Sequence, residues 1–281
     1  MSMKVVSFLR EGVPGYGVVK GNGIVDAGRR LNSRWPDLRA ILVSGALAEL
    51  QGMQDAAPDF AVSTVRLLPP IPNPDKILCV GLNYRSHVAE TGRDLPAQPS
   101  IFARLANTLV PHGEAIIKPR VSDHLDYEGE LAVIIGKSGR YISTADAMSY
   151  VFGYSCFNDG SLRDFQKHSV TAGKNFYHTG GFGPWIVTSD EIGDPASLDL
   201  VTRLNGSEVQ RSNTSMMIYS LPDIISYISQ FTPLTPGDVI ATGTPEGVGA
   251  RRTPPLWMNK GDVVEVEISG IGVLSNPIIA E

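Results

Sequence analysis

The stretch HLDYEGELAVIIG, residues 124–136, sets Glu128 and Glu130 two positions apart at the head of an apolar run. Successive side chains of a strand point to opposite faces, so these two carboxylates share one face. Side by side they repel, and a fold gains nothing from the pairing. A second apolar run, VFGYSCFNDG, ends in Asn158 and Asp159 before a turn, and loops after strands are where functional groups gather. Three carboxylates with no histidine or cysteine among them suit a hard divalent cation. Mg²⁺ or Mn²⁺ takes oxygen ligands and keeps waters that substrate oxygens can replace. The plain alternative puts Glu128 and Glu130 on a solvated strand face and makes Asp159 a helix cap. The residue pattern alone weighs the two evenly.

Three further segments carry chemically capable groups. In VGLNYRSHVAETGRD, His87 and Glu90 stand three apart and share a helix face. A carboxylate beside an imidazole fixes its tautomer and raises its basicity, which is how a water is activated near neutral pH. The alternative is a surface His/Glu pair. In TAGKNFYHTGGFGPW, Lys174 lies among glycines and aromatics, where an ammonium can neutralise a substrate carboxylate or a developing oxyanion. Arg163 and Gln166, three apart on the preceding helical stretch, can face the same pocket. A solvated loop lysine explains Lys174 equally well. Finally, DVIATGTPEGVGARR follows a strand with glycine and proline breakers, and its backbone N–H groups can cradle an anion. It is not a nucleotide loop, because no G-K-[ST] follows.

These groups sit in an ordinary globular chain. The 281 residues are 42% hydrophobic and 19% charged, enough for a substantial core. A net charge of -5 with no Lys/Arg run disfavours a nucleic-acid surface. Cys79 and Cys156 lie in apolar runs and read as buried free thiols of a reducing compartment. No signal-like N-terminus and no long uncharged apolar run is present, so the expectation is a cytoplasmic protein without a membrane partner.

Residues 3–28 read as a short β-meander, and 33–52 carry helical periodicity. Four prolines within LLPPIPNPDK, residues 67–76, exclude a helix there and suggest a boundary. A small N-terminal α+β domain, residues 1–69, is therefore expected before a body of residues 70–281. In the body, strand-like runs such as KILCVGLNY, GELAVIIG, LDLVTRLNG and DVVEVEISG outnumber helical stretches at 85–92, 143–151, 161–168 and 220–231. Strands that outnumber helices and do not alternate with them argue for a mainly β fold with some α, a mixed β-sandwich or roll, over a doubly wound one.

In this order, ILCVGLNYRSHVAETG, DYEGELAVIIGK, VFGYSCFNDGSLRDFQ, GKNFYHTGGFGPWIVTSDE and PGDVIATGTPEGVG resemble the fumarylacetoacetate hydrolase family over residues 70–278. The resemblance implies that family's mixed sandwich or roll and a homodimer. It implies Glu128, Glu130 and Asp159 as ligands of Mg²⁺ or Mn²⁺, with His87 and Glu90 as a dyad on a lid-like helix. Lys174, Arg163, Gln166 and Thr244 are implied as residues meeting a small oxo-acid substrate. The implied reaction is hydrolysis of a 2,4-dioxo acid, an acylpyruvate such as fumarylpyruvate or maleylpyruvate, to pyruvate and a carboxylic acid. Decarboxylation of oxaloacetate and isomerisation of a related oxo acid are the alternatives. A non-catalytic oxo-acid-binding protein is a fourth possibility, which the intact set of acidic, histidine and lysine positions disfavours. The chain departs from the family pattern after the phenylalanine of PSIF, where many members carry lysine and this chain has FARLANTL with Arg104 nearby, and at Tyr177 and His178 of NFYHTGGFGPW. Both stretches are expected to line the pocket.

Overall fold

The structure is a computed structural model and describes residues 3–281. Its backbone is a twelve-stranded sheet with a five-stranded sheet packed against one face. The N-terminal meander, Lys4–Arg10, Val13–Lys20 and Gly23–Asp26, does not make a sheet of its own. Lys4–Arg10 pairs antiparallel with Gly180–Thr188, which is followed across the sheet by Val151–Asn158, Gly129–Ile135, Val239–Ala241, Ile77–Gly81 and Ser100–Arg104. The second sheet runs Ser207–Asn213, Asp199–Leu204, Val263–Ile268, Gly272–Ala280 and Ile116–Lys118.

All seven residues of Gly129–Ile135 are buried, because both faces of the large sheet are covered. Leu131 and Val133 point towards the small sheet and join Leu200, Val266 and Leu274 in one core. Ala132 and Ile134 face the other way and share a cluster with Ile41, Leu42, Phe157 and Phe182. The period of two that the sequence carries is thus realised on both sides.

Local signals set the helices. Leu221–Phe231 starts at a capping box in which Ser220 and Asp223 satisfy each other's backbone N–H groups. The periodic stretch 33–52 divides into Leu38–Ser44 and Leu47–Gln51, since Gly45 turns left-handed at φ 71° and ends the first helix. The helix expected over 143–151 shrinks to a single 3₁₀ turn, Ala147–Tyr150. Cys79 and Cys156 are buried and unpaired. No helix among the described residues is long and apolar enough to cross a membrane.

Two features of this topology position chemistry. Ile77–Gly81 runs parallel to Val239–Ala241, so the segments after both strands emerge at the same end of the sheet. Those segments are the helix Arg85–Thr91, which carries His87, and the TGTP turn. Next to them, Gly129–Ile135 begins where its antiparallel neighbour Val151–Asn158 ends.

Candidate metal centre

Three carboxylates converge at that junction. Gly129 pairs with Asn158 and Glu130 with Phe157, and the Asp159 amide donates to the Glu128 carbonyl at 2.8 Å. Glu130 on the strand and Glu128 just before it, with Asp159 across from Glu128, therefore present their side chains to one side. An oxygen from each lies within 4.8 Å of the other two, and all three residues are buried. Glycine between the glutamates is required by packing, since a Cβ at position 129 would stand 2.0 Å from Thr202 Oγ1.

Fixed cations surround the acids unevenly. Lys174 ends the short helix Val170–Lys174, and its Nζ donates to Glu128 Oε2 and to Asp159 Oδ2, each at 2.5 Å. Arg163, from the turn of helix after Asp159, donates to Asp126 Oδ2 at 2.7 Å, Glu128 Oε1 at 2.6 Å and Gln166 Oε1 at 2.9 Å. Arg104 pairs with Asp159 and donates to the Gly160 carbonyl. Burial pushes the Glu128 carboxyl up, but Lys174 and Arg163 outweigh it and hold it at about 2. Burial also pulls the Lys174 ammonium down, and Asp159 with Glu128 more than offsets that. Among the described residues, Glu130 has only the Gly243 N–H at 2.8 Å as a direct donor. Its burial and the neighbouring Asp159 and Glu128 charges drive it well above the ordinary glutamate range. Glu130 is therefore the acid that the fixed cations compensate least.

The dyad faces the acids across a cavity of about 480 Å³. His87 Nδ1 meets Glu90 Oε2 at 3.0 Å, and Glu90 Oε1 accepts from the Gly247 amide at 2.9 Å. A carboxylate on Nδ1 places the ring proton there and leaves the Nε2 lone pair free. Ser86 pairs with Glu246, so the helix is latched to the TGTPEG loop at two points. Thr244 lines the cavity; its hydroxyl accepts from Gln210 Nε2 at 2.9 Å and donates to the Gly129 carbonyl at 3.0 Å. His87, Glu128, Glu130, Asp159, Arg163, Gln166, Lys174 and Thr244 all line this one space, with Glu90 behind the histidine.

Tyr177 and His178 do not line the cavity. Their rings stack at 3.8 Å, Tyr177 is 57% exposed, and the backbone of His178 is tied to Asn107 and Ile117. Arg104 lies behind Asp159, fully buried, not at the cavity wall. Two contributors escaped the sequence reading. Asp126 is completely buried, accepts from Arg163 and also from the Gly249 and Ala250 amides, and so fixes both a cavity arginine and a cavity loop. Its signal was present, since Asp126 continues the i, i+2 series of Glu128 and Glu130. Gln210, from the small sheet, bonds both the Gly129 amide and Thr244, and no local pattern marks it.

The donor set fits the divalent cation the acids imply. It is all oxygen, buried, convergent, and short of positive charge at Glu130. A family profile described as fumarylacetoacetate (FAA) hydrolase C-terminal matches residues 76–279. The chain is 37% identical to oxaloacetate tautomerase FAHD2A, mitochondrial, of Bos taurus, over 99% of its own length and 92% of that protein. It is 44% identical to oxaloacetate tautomerase YisK of Bacillus subtilis (strain 168), over 78% of its length and 75% of that protein. Among solved structures, maleylpyruvate hydrolase of Sphingobium sp. SYK-6, in complex with manganese (II) ion and pyruvate, superposes with a TM-score of 0.83. It is 28% identical, with 99% of each chain covered.

Proposed function

The chain belongs to the fumarylacetoacetate hydrolase family, and from that premise we propose that it is a Mg²⁺- or Mn²⁺-dependent enzyme acting on a 2-oxo acid through its enol form. The first reading is keto–enol tautomerisation of an oxaloacetate-like acid. One observation carries it: three buried carboxylates and the His87 ring, backed by Glu90, open onto the same cavity.

Glu128, Glu130 and Asp159 would hold the cation, which would supply Lewis acidity to a bound 2-oxo acid. His87, its Nδ1 engaged by Glu90, takes the proton from the carbon beside the oxo group at Nε2 and delivers it to the enolate oxygen, and in the reverse direction moves it from the enol oxygen to that carbon. The Lys174 ammonium adds fixed positive charge at the cavity floor, where enolate charge develops. Gln166, oriented by Arg163, offers its amide N–H₂ to a substrate oxygen. The Thr244 hydroxyl, already committed to Gly129, shapes the wall.

The names of the two relatives favour tautomerisation. A second reading, hydrolysis of an acylpyruvate to pyruvate and a carboxylic acid, is favoured by the maleylpyruvate hydrolase neighbour and its bound pyruvate. In that reaction His87 takes its proton from water instead of carbon. Decarboxylation of oxaloacetate needs no base and leaves the dyad without work.

The test is a parallel assay with Mg²⁺, with Mn²⁺ and with chelator. It follows decay of the oxaloacetate enol, pyruvate release from acylpyruvates, and CO₂ release. Metal-dependent acceleration of enol decay without CO₂ supports the first reading. Pyruvate with an equimolar acid from an acylpyruvate moves the assignment to hydrolysis. Turnover unchanged by chelator refutes both.

A further inference from the structure

The acids stand at the start of Gly129–Ile135, where side chains take over the hydrogen bonds of the sheet. On one side the neighbouring strand Val239–Ala241 stops opposite Ala132 and turns into TGTP. Gly129 is met there by Gln210 and Thr244. Gln210 Oε1 accepts from the Gly129 N–H at 2.9 Å, Gln210 Nε2 donates to Thr244 Oγ1 at 2.9 Å, and Thr244 Oγ1 donates to the Gly129 carbonyl at 3.0 Å. The three bonds close a ring, so one carboxamide and one hydroxyl do for Gly129 what a paired strand would. A further bond from Gln210 Nε2 to the Pro245 carbonyl, at 3.0 Å, fixes which end of the carboxamide faces Gly129. On the other side of the strand, Asn158 Oδ1 accepts from the Glu128 N–H at 3.0 Å.

The Glu128 and Gly129 amides lie on either side of the Glu128 Cα, so fixing both restrains its φ and ψ and with them the direction of its side chain. Gln210 and Asn158 are buried, and both act from the face opposite the acids. Gln210 belongs to the small sheet, and Asn158, in register with Gly129, points to the face that carries Leu131 and Val133. We propose that Gln210 and Asn158 are positioning residues of the metal centre, which clamp these two amides and so set how Glu128, and Glu130 after it, are presented to a divalent cation. The proposal rests on the reading of the three acids as metal ligands. Neither clamping side chain is charged, so removing one loosens the geometry of the ligands and leaves the formal charge of the site unchanged.

The experiment measures Mn²⁺ binding by the full-length protein. Electron paramagnetic resonance gives the affinity from the free-ion signal, and the spectrum of bound Mn²⁺ reports the arrangement of its ligands. Gln210→Met and Asn158→Leu, each close in volume to the native side chain, remove the two acceptors. Thr202→Val is the control, since Thr202 is buried against the same glycine and its hydroxyl bonds neither amide. Both clamp variants are expected to bind Mn²⁺ about 10–100-fold more weakly, with an altered bound spectrum. Thr202→Val should keep the affinity and spectrum of wild type. Wild-type affinity in either clamp variant, or equal weakening in Thr202→Val, overturns the clamp and leaves the metal reading intact. Failure of wild type to bind Mn²⁺ overturns that reading, and the clamp with it. If the clamp variants do not fold, residue-resolved amide exchange of metal-free wild type decides. Protection of the Glu128 and Gly129 amides equal to that of Val133 within the strand supports the clamp, and exchange at the rate of an open loop refutes it.

Discussion

At the scale of single residues, the site works by unequal compensation of buried charge. Glu128 touches two cations and Glu130 touches none as closely. Two consequences for pH follow, of opposite sign. Glu128 is held at about 2, so its contribution to stability is present above the ordinary glutamate range and is lost as pH falls towards about 2. Glu130 is shifted upward, so in metal-free protein its contribution is present at low pH and is lost as pH rises through the raised value. Below that raised value, uptake of a divalent cation then expels a proton. Calorimetric titration of Mn²⁺ into metal-free protein, in buffers of different ionisation enthalpy and at pH values stepped up from the acid side, should show buffer-dependent heat corresponding to proton release that fades as pH passes the raised value. Identical heats would contradict the assignment of Glu130. For the dyad, His87→Ala should reduce turnover by about 10²–10⁴-fold and leave Mn²⁺ affinity near that of wild type. Near-normal turnover would remove His87 from the chemistry.

At the scale of elements, the acids are placed by strand ends and the dyad by a latched helix. The strand geometry leaves no room for a side chain between the two glutamates. Gly129→Ala would drive a methyl into Thr202 Oγ1, and the strand is expected to shift at a cost of about 1–3 kcal/mol. Because Glu128 and Glu130 flank the position, metal affinity should fall by more than stability does. Pairing Gly129→Ala with Thr202→Ala should restore part of both, and failure of that rescue would show that the clash is not the cause. A contrasting change is Ser220→Ala, which removes a helix cap that does not line the cavity. It should cost about 1 kcal/mol, a drop in Tm of about 2–4 °C for a chain of this size, with kcat/KM unaltered.

For the whole molecule, the sheet ties the N-terminal segment to the body. Lys4–Arg10 hydrogen-bonds Gly180–Thr188, while Leu38, Ile41 and Leu42 cover the face that carries Ala132 and Ile134. Deleting residues 1–69 exposes a sheet edge and that apolar face together. The residual chain is expected to aggregate, or to lose cooperative unfolding in calorimetry. A monodisperse, cooperatively unfolding 70–281 fragment would establish an autonomous body. A homodimer remains a proposal drawn from the family, and light scattering on the intact chain would decide it.

The sequence by itself determined the character of this protein. The continuous apolar run through GELAVIIG suits a strand buried on two sides, and the glutamates at its head had to share a face because the side-chain period of a strand is two. The three-residue spacing of His87 and Glu90 made their contact a property of local helix geometry. Ser220 and Asp223 likewise announced the start of a helix. Local pattern does not encode which strands become neighbours. The approach of Asp159 to Glu128, of Arg104 to Asp159 and of Gln210 to Thr244 depends on contacts between residues 31, 55 and 34 positions apart. For the same reason Tyr177 and His178 turned away from the cavity, while Asp126 took a central place in it. Uneven charge compensation, with Glu128 pulled down and Glu130 pushed up, exists only once burial and distance are set, since both are properties of the packed molecule.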